Sequence, residues 1–319
     1  MNKVKVSVLI PVYNMQDYIA QCATSLFEQT MTDGIEYIFV DDASTDSGIN
    51  VVRDLLEEYP HRKNQVRIVR HPQNRGISCV RQTALAEANG DYFIFCDSDD
   101  YVEPDMYERM YLAAVRENAD IVGCSYFDEY PDAVTTVNLD YSLSSQETIQ
   151  AMLSNKPYQK GYLWCRMFRR AFFTHHKINF IPGLAMLEDL AVVIPAYYHN
   201  PKGASVLAPL YHYRRRSSSL SGHFSTQSVA SAITAMDHLR PFCDTPETKQ
   251  AWNQALAMHA QPLVTQLHTY NPSLWRKTTK GIPLKYFGSF LGKLSPTLIR
   301  LHLDKLNYLL LKLYRANKL

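Results

Sequence analysis

The feature that most limits the fold is a switch of hydrophobic period, repeated four times within the first 125 residues. Val6-Ser7-Val8-Leu9-Ile10 is a β-branched run stopped by Pro11, and it reads as a buried strand. Residues 17–29 then carry Ile19, Cys22, Ala23, Leu26 and Phe27 at helical spacing. Tyr37-Ile38-Phe39-Val40 precedes a helix over 47–59, closed by Pro60. Val66-Arg67-Ile68-Val69 precedes one over 76–89, with Gly90 expected as its C-cap. Tyr92-Phe93-Ile94-Phe95-Cys96 precedes one over 106–118, and a fifth strand is expected over 119–124. Strands and helices alternating through short links imply an α/β fold, a mostly parallel sheet flanked by helices on both faces. Such sheets bind ligands beyond the carboxyl ends of their strands. That edge collects Tyr13 and Asn14, Asp41 and Asp42, Asn74 to Gly76, and Asp97 to Asp100.

The rhythm breaks after about residue 126. Residues 131–145 are polar and loop-like, 146–153 helical, 161–173 aromatic and basic, and 187–198 apolar after Glu188-Asp189. Tyr211-His212-Tyr213-Arg214-Arg215-Arg216 is followed by three serines, and from about Ser225 the pattern is helical. With 46% hydrophobic and 20% charged residues, 319 residues can bury a sizeable core. The six cysteines include no C-x-x-C pair, which argues against a zinc site and suggests buried thiols in a reducing compartment. The N-terminus has no signal-peptide pattern, and no apolar run reaches a bilayer-spanning length of about 18 residues. The expected location is cytoplasmic, either free or resting on a membrane.

Glycine-rich nucleotide motifs are absent. Gly34, Gly48, Gly76, Gly90 and Gly123 form neither G-x-G-x-x-G nor a P-loop, which argues against a Rossmann dehydrogenase or an ordinary kinase. The acidic quartet Asp97-Ser98-Asp99-Asp100 places three carboxylates in four residues. Their repulsion favours a cation, and oxygen ligands suit Mg²⁺ or Mn²⁺. The plainer reading is a solvated turn that caps the next helix; placement at a strand's carboxyl end favours the metal. Asp41 to Asp46 also follows a strand and can cap a helix, accept hydrogen bonds from a base or ribose, or do both.

Taken together, Ile10-Pro11-Val12-Tyr13-Asn14, Val40 to Asp46, Asn74-Arg75-Gly76 with Arg81, and Asp97 to Asp100 resemble family 2 glycosyltransferases of the GT-A (Rossmann-like) fold. The resemblance runs over roughly residues 5–220. Leu163 to Arg170, Gly183 with Glu188-Asp189-Leu190, and Tyr211 to Arg216 are similar to its bacterial surface-polysaccharide branch. It implies that Pro11, Tyr13 and Asp42 line the base pocket, with Tyr13 stacking. Asp97 is then expected near the ribose, Asp99 on the metal, and Asp189 as catalytic base with Glu188 as second candidate. Arg75 and Arg81 are expected as donor contacts. Gln16 departs from the family, which usually has Glu there. Taken alone, Glu188-Asp189 reads as the acidic N-terminus of a helix starting near Leu190; the family context favours the base. Arg214 and Arg216 are either a solvated basic loop or forks for diphosphate oxygens. His212 is a further metal-ligand candidate, although lone histidines are usually structural.

From Arg276 onward ten basic residues, the last Lys318, accompany one acidic residue, Asp304, among apolar positions such as Leu298, Ile299, Leu301, Leu303 and Leu306. Such a segment suits a membrane interface, or a helical subdomain packed on the core with its lysines in water. The expected organisation is a GT-A domain over 1–220 (nucleotide-binding half 1–125, acceptor half 126–220) and a helical C-terminal region over 221–319. The implied activity is inverting transfer from a nucleotide-diphosphate sugar, expected as a UDP-sugar, to a lipid-linked glycan hydroxyl in bacterial cell-envelope polysaccharide synthesis. The rivals are a sugar-phosphate nucleotidyltransferase, which usually carries a Gly-rich basic loop not seen here, and a non-catalytic nucleotide-sugar-binding module. Nucleic acid is not an expected partner.

Overall fold

The computed structural model describes residues 3–216, 225–288 and 290–316. The serines at 217–219 and the tail residue Lys318 lie outside the described residues. Among the described residues, nine strands form one sheet.

The first half follows the periodicity. Strands β1 (Val6–Val12), β2 (Ile35–Asp41), β3 (Val66–Arg70) and β4 (Tyr92–Phe95) are parallel in the order β3-β2-β1-β4. β1 is buried throughout because it has a strand on each side and helices on both faces. Its alternation divides the core. Val6, Val8, Ile10 and Val12 pack with helices α1 (Ile19–Phe27), α2 (Gly48–Glu58) and α4 (Met106–Glu117). Leu9 faces the other way, toward Val80 and Ala84 of α3 (Ile77–Glu87).

The second half is mixed. β5 (Tyr101–Val102) is a short edge strand, and β6 (Ile121–Tyr130) runs six residues past the expected end of the fifth strand. The loop expected over 131–145 instead begins with β7 (Ala133–Val137), which folds back antiparallel on β6. Helix α5 (Ser145–Leu153) starts at a capping box between Ser144 and Glu147. β8 (Arg166–Arg169) inserts antiparallel between β4 and β6, followed by α6 (Arg170–His176), α7 (Leu190–Tyr198) and β9 (Gly203–Arg214). β9 runs parallel to β6 and antiparallel to β5.

Gly90 is not a left-handed helix cap. A Cβ there would lie 2.6 Å from the Tyr92 carbonyl oxygen and 2.7 Å from the Ser7 amide nitrogen. Glycine allows the start of β4 to approach β1, and its N–H donates to Ser7 Oγ at 2.8 Å.

The C-terminal helices extend the core instead of forming a separate one. Val229, Met236 and Leu239 of α8 (Thr226–Leu239) and Trp252 and Leu256 of α9 (Pro246–Ala260) join the cluster under α5 and α7. Short α10 (Pro262–Thr265) and α11 (Pro272–Thr278) lead to α12 (Phe290–Arg300) and α13 (Asp304–Ala316). On α13, Asn307 and Leu311 are buried, whereas Leu306, Leu309, Leu310 and Leu313 form an exposed stripe at i, i+3, i+4 and i+7. None of the described helices is long and apolar enough to cross a membrane.

Candidate active site

The strand ends meet through hydrogen bonds. After β1, Asn14 takes a positive φ, and its Oδ1 accepts from the Thr45 N–H at 2.8 Å. After β2, Asp42 is buried and accepts from the backbone N–H groups of Arg75 and Gly76, at 2.9 and 2.8 Å. His71 Nδ1 lies 2.7 Å from the same carboxylate. Asp42 therefore holds the loop before α3 in place, and Gly76 supplies the left-handed φ of 82° at which that helix begins. Pro11 is buried at the end of β1, and Tyr13 beside it is 44% exposed.

The acidic quartet divides by partner. Asp100 is buried. It accepts from the Tyr211 hydroxyl and the Arg214 N–H, both at 2.8 Å. Burial pushes its carboxyl well above the usual range, with Asp99 and Asp97 adding like charge. The Tyr211 hydroxyl also accepts from the Asp97 N–H at 3.1 Å. Asp100 thus braces the quartet against β9 and does not cap the following helix. Asp99 pairs with Arg216. Burial and the Asp97 charge raise its pKa, and Arg216 opposes them.

Asp97 faces the opposite way, into a cluster centred on Arg81. Arg81 Nη2 reaches Asp97 Oδ1 at 3.1 Å. Its Nη1 reaches Glu188 Oε1 at 3.0 Å and also pairs with Asp189. Glu188 and Asp189 stand immediately before α7, so their acidic side chains also meet the positive end of that helix. Asp189 Oδ2 accepts from the Leu163 N–H at 3.4 Å. Burial pushes Asp189 up to about 7; Arg81 lowers it, and Glu188 and Asp97 raise it. At neutral pH the carboxyl is poised between its two forms, not fully ionised as an exposed aspartate would be.

The basic stretch alternates at the end of β9 and just past it. Arg214 lies over the rings of Tyr18 and Tyr101, and Arg216 over Tyr18 at 5.0 Å. Arg215 points away and makes a two-pronged pair with Asp128. His212 is structural: its nitrogens lie 2.7 Å from Glu129 and 2.8 Å from Glu103, and it stacks between Tyr101 and Phe127. Trp164 stacks on Tyr162 and Tyr211, at 4.7 and 4.3 Å. Tyr211, Trp164 and Tyr18 were not singled out as individual site residues, although the segments holding Trp164 and Tyr211 are conspicuous in sequence. All six cysteines are free and buried.

The strand ends of this α/β sheet thus gather the loops after β1 and β2, an acidic quartet and a partly buried carboxylate pair. The glycosyl transferase family 2 profile matches residues 7–176. EpsH of Bacillus subtilis is 33% identical over 235 residues, covering 72% of this chain and 66% of its own. The chain belongs to glycosyl transferase family 2. It spans just under two thirds of the length of that relative. Staphylococcus aureus TarS 1–349, solved with UDP-GlcNAc, shares the fold with a TM-score of 0.66 at 20% identity, covering 98% of this chain and 92% of that one. A mannosyltransferase from Pyrobaculum calidifontis, solved with GDP-Man and Mn²⁺, aligns with a TM-score of 0.53 at 16% identity, over 86% of this chain and 83% of that one. The architecture is GT-A, followed by a helical C-terminal region.

Proposed function

We propose that this chain is an inverting transferase. It moves a sugar from a nucleotide-diphosphate donor, a UDP-sugar, to a hydroxyl of a lipid-linked glycan during bacterial surface-polysaccharide synthesis. The observation that carries the reading is the joining of Asp189 to Asp97 through the buried Arg81, which sets a partly buried carboxylate beside the donor-side loops. Asp189 removes the proton from the acceptor hydroxyl. That oxygen attacks the anomeric carbon from the face opposite the nucleotide, and the diphosphate leaves with the bonding electrons. Glu188, on the same Arg81 nitrogen, is the second candidate base.

On the donor side, the exposed Tyr13 ring stacks on the base above Pro11, and Asp42 shapes the pocket through its hold on the 71–76 loop. Asp97, whose side chain is 26% exposed, faces the ribose. Asp99 fits a Mg²⁺ or Mn²⁺ ion: burial and the like charge of Asp97 disfavour its ionised form, and Arg216 already provides a compensating cation. When bound, such an ion neutralises charge developing on the diphosphate. Arg214 and Arg216 are the expected contacts to phosphate oxygens. The donor and metal in the two fold neighbours support this assignment.

The exposed α13 stripe, with Lys305, Lys312 and Arg315 on the same helix, supports peripheral contact with the cytoplasmic face of the inner membrane, where a lipid-linked acceptor resides.

The test is nucleoside diphosphate release from a panel of nucleotide sugars with Mg²⁺ or Mn²⁺. Wild type should release it, and Asp189→Asn should lose about 100-fold or more. Equally slow release by both proteins under every donor and metal would refute the reading.

A further inference from the structure

Arg81 lies on α3 and is 3% exposed. A guanidinium removed from water needs a compensating negative charge, and one carboxylate is enough to neutralise it. Arg81 has three, and they come from two distant places in the chain: Asp97 after β4, and Glu188 with Asp189 before α7. Its fork is divided between them. Nη2 serves Asp97, Nη1 serves the Glu188–Asp189 pair, and the Phe95 ring lies 5.6 Å from the guanidinium carbon. Nε, the remaining nitrogen, is buried without a hydrogen-bond partner. The two hydrogen-bonding nitrogens are therefore already engaged by carboxylates.

We propose that Arg81 is the positioning residue for Asp189: it fixes the carboxylate and links it to Asp97 on the donor side. This rests on the transferase reading for its catalytic meaning. Its effect on the Asp189 carboxyl does not depend on turnover.

The surroundings explain why a positioning cation is needed. Burial disfavours the charged form of Asp189, and Glu188 and Asp97 add like charge. Tyr162 and Cys165, from the segment before β8, also feel its charge, and neither supplies a cation. The Leu163 N–H is a long hydrogen bond at 3.4 Å. Arg81 is the largest influence favouring ionisation. Without it, the carboxyl would remain protonated through neutral pH and could not accept a proton.

The reading differs from a direct donor contact in what Arg81→Lys should change. Lysine keeps the charge but loses the fork that reaches both sides. With UDP-GlcNAc and Mn²⁺ as probes, nucleotide release should fall at least tenfold in kcat. UDP affinity measured by calorimetry should stay within about twofold, since Arg81 takes no direct part in nucleotide binding on this reading. The acidic limb of the kcat profile should move to higher pH. A fall in UDP affinity with kcat preserved would instead make Arg81 a donor contact and overturn the proposal.

The second arm needs no activity. In protein carrying ¹³C-labelled aspartate carboxyls, the Asp189 resonance, assigned by its loss in Asp189→Asn, is titrated in wild type, Arg81→Lys and Arg81→Met. Arg81→Met should move its midpoint up by about one to three units. An unmoved midpoint in folded Arg81→Met overturns the proposal, even if Arg81→Lys is slow. If Arg81→Met does not fold, an unmoved midpoint together with an unchanged profile in Arg81→Lys overturns it. If wild type turns over no nucleotide sugar while the midpoint still moves, the transferase reading fails and the hold of Arg81 on Asp189 stands.

Discussion

Replacing Asp189 by asparagine should make the protein more stable at alkaline pH while removing its activity. In the fold, burial pushes the Asp189 carboxyl up to about 7, with Glu188 and Asp97 adding and Arg81 opposing. In the unfolded chain an aspartate titrates near 3.9, roughly three units lower. Folding therefore favours the protonated form. The stability this provides is fully present below about pH 4 and is lost as pH rises through about 7. A gap of about three units corresponds to about 4 kcal/mol in total, of which on the order of 2 kcal/mol develops between about pH 5 and about pH 8. Asparagine keeps the shape and one acceptor oxygen for Arg81, and it cannot ionise. Urea unfolding of both proteins at the two pH values measures the difference directly. The variant should gain on wild type by that amount from the lower to the higher pH. A stability difference that is the same at both values, or that shrinks as pH rises, would refute the account of Asp189 as a carboxyl held against its charged state.

Three other perturbations test separate parts of the site. Tyr211→Phe removes the hydroxyl that accepts from the Asp97 N–H and donates to Asp100. With two buried partners left, the loss should be about 2–4 kcal/mol by denaturant unfolding, and a loss below about 0.5 kcal/mol would show that the brace is unimportant. Asp99→Asn should weaken Mn²⁺ binding in the presence of UDP by about tenfold or more, read by calorimetry or water proton relaxation, because the ion loses a charged ligand. Unchanged binding would place the metal elsewhere. Leu309→Gln combined with Leu313→Gln should cut sedimentation with anionic phosphatidylglycerol vesicles and leave the melting temperature unaltered, since both side chains are exposed. Equal sedimentation by variant and wild type would remove α13 as a membrane contact.

What was legible in the sequence is what depends on neighbours. Short apolar runs alternating with helical periods mark β1 to β4 with their helices, because a strand covered on both faces reads as a continuous apolar run and an amphipathic helix as a stripe set by residues a few positions apart. The quartet was recognisable because it follows an apolar strand, and a strand's carboxyl end is where such folds bind ligands. Residues 166–169 show no usable period, because four residues are too few to display one and two of them are arginine. Their insertion between β4 and β6 depends on pairing with segments some 45 to 75 residues away. The β7 strand was missed for a related reason: all but its last residue are exposed, and an exposed edge strand has no hydrophobic alternation to read.

The charged residues expose a deeper limit. Asp100 looks like a helix cap in sequence, and Arg81 looks like a donor contact. Both are buried, and a buried charge can be understood only with its partners in view. Those of Asp100 are on β9, more than 110 residues away, and those of Arg81 include Glu188 and Asp189 before α7. The acidic quartet therefore faces two ways. Through Asp100 it is tied to β9, through Asp99 to Arg216 just past the end of that strand, and through Asp97, by way of Arg81, to the residues before α7. The two sets of charged pairs meet at this one turn. Because Arg81 and Arg216 hold two aspartates of the same short turn, substitutions at the two should couple across the site even though they pair with different aspartates. Double-mutant cycles on kcat measure that coupling, and strictly additive effects would separate the two halves.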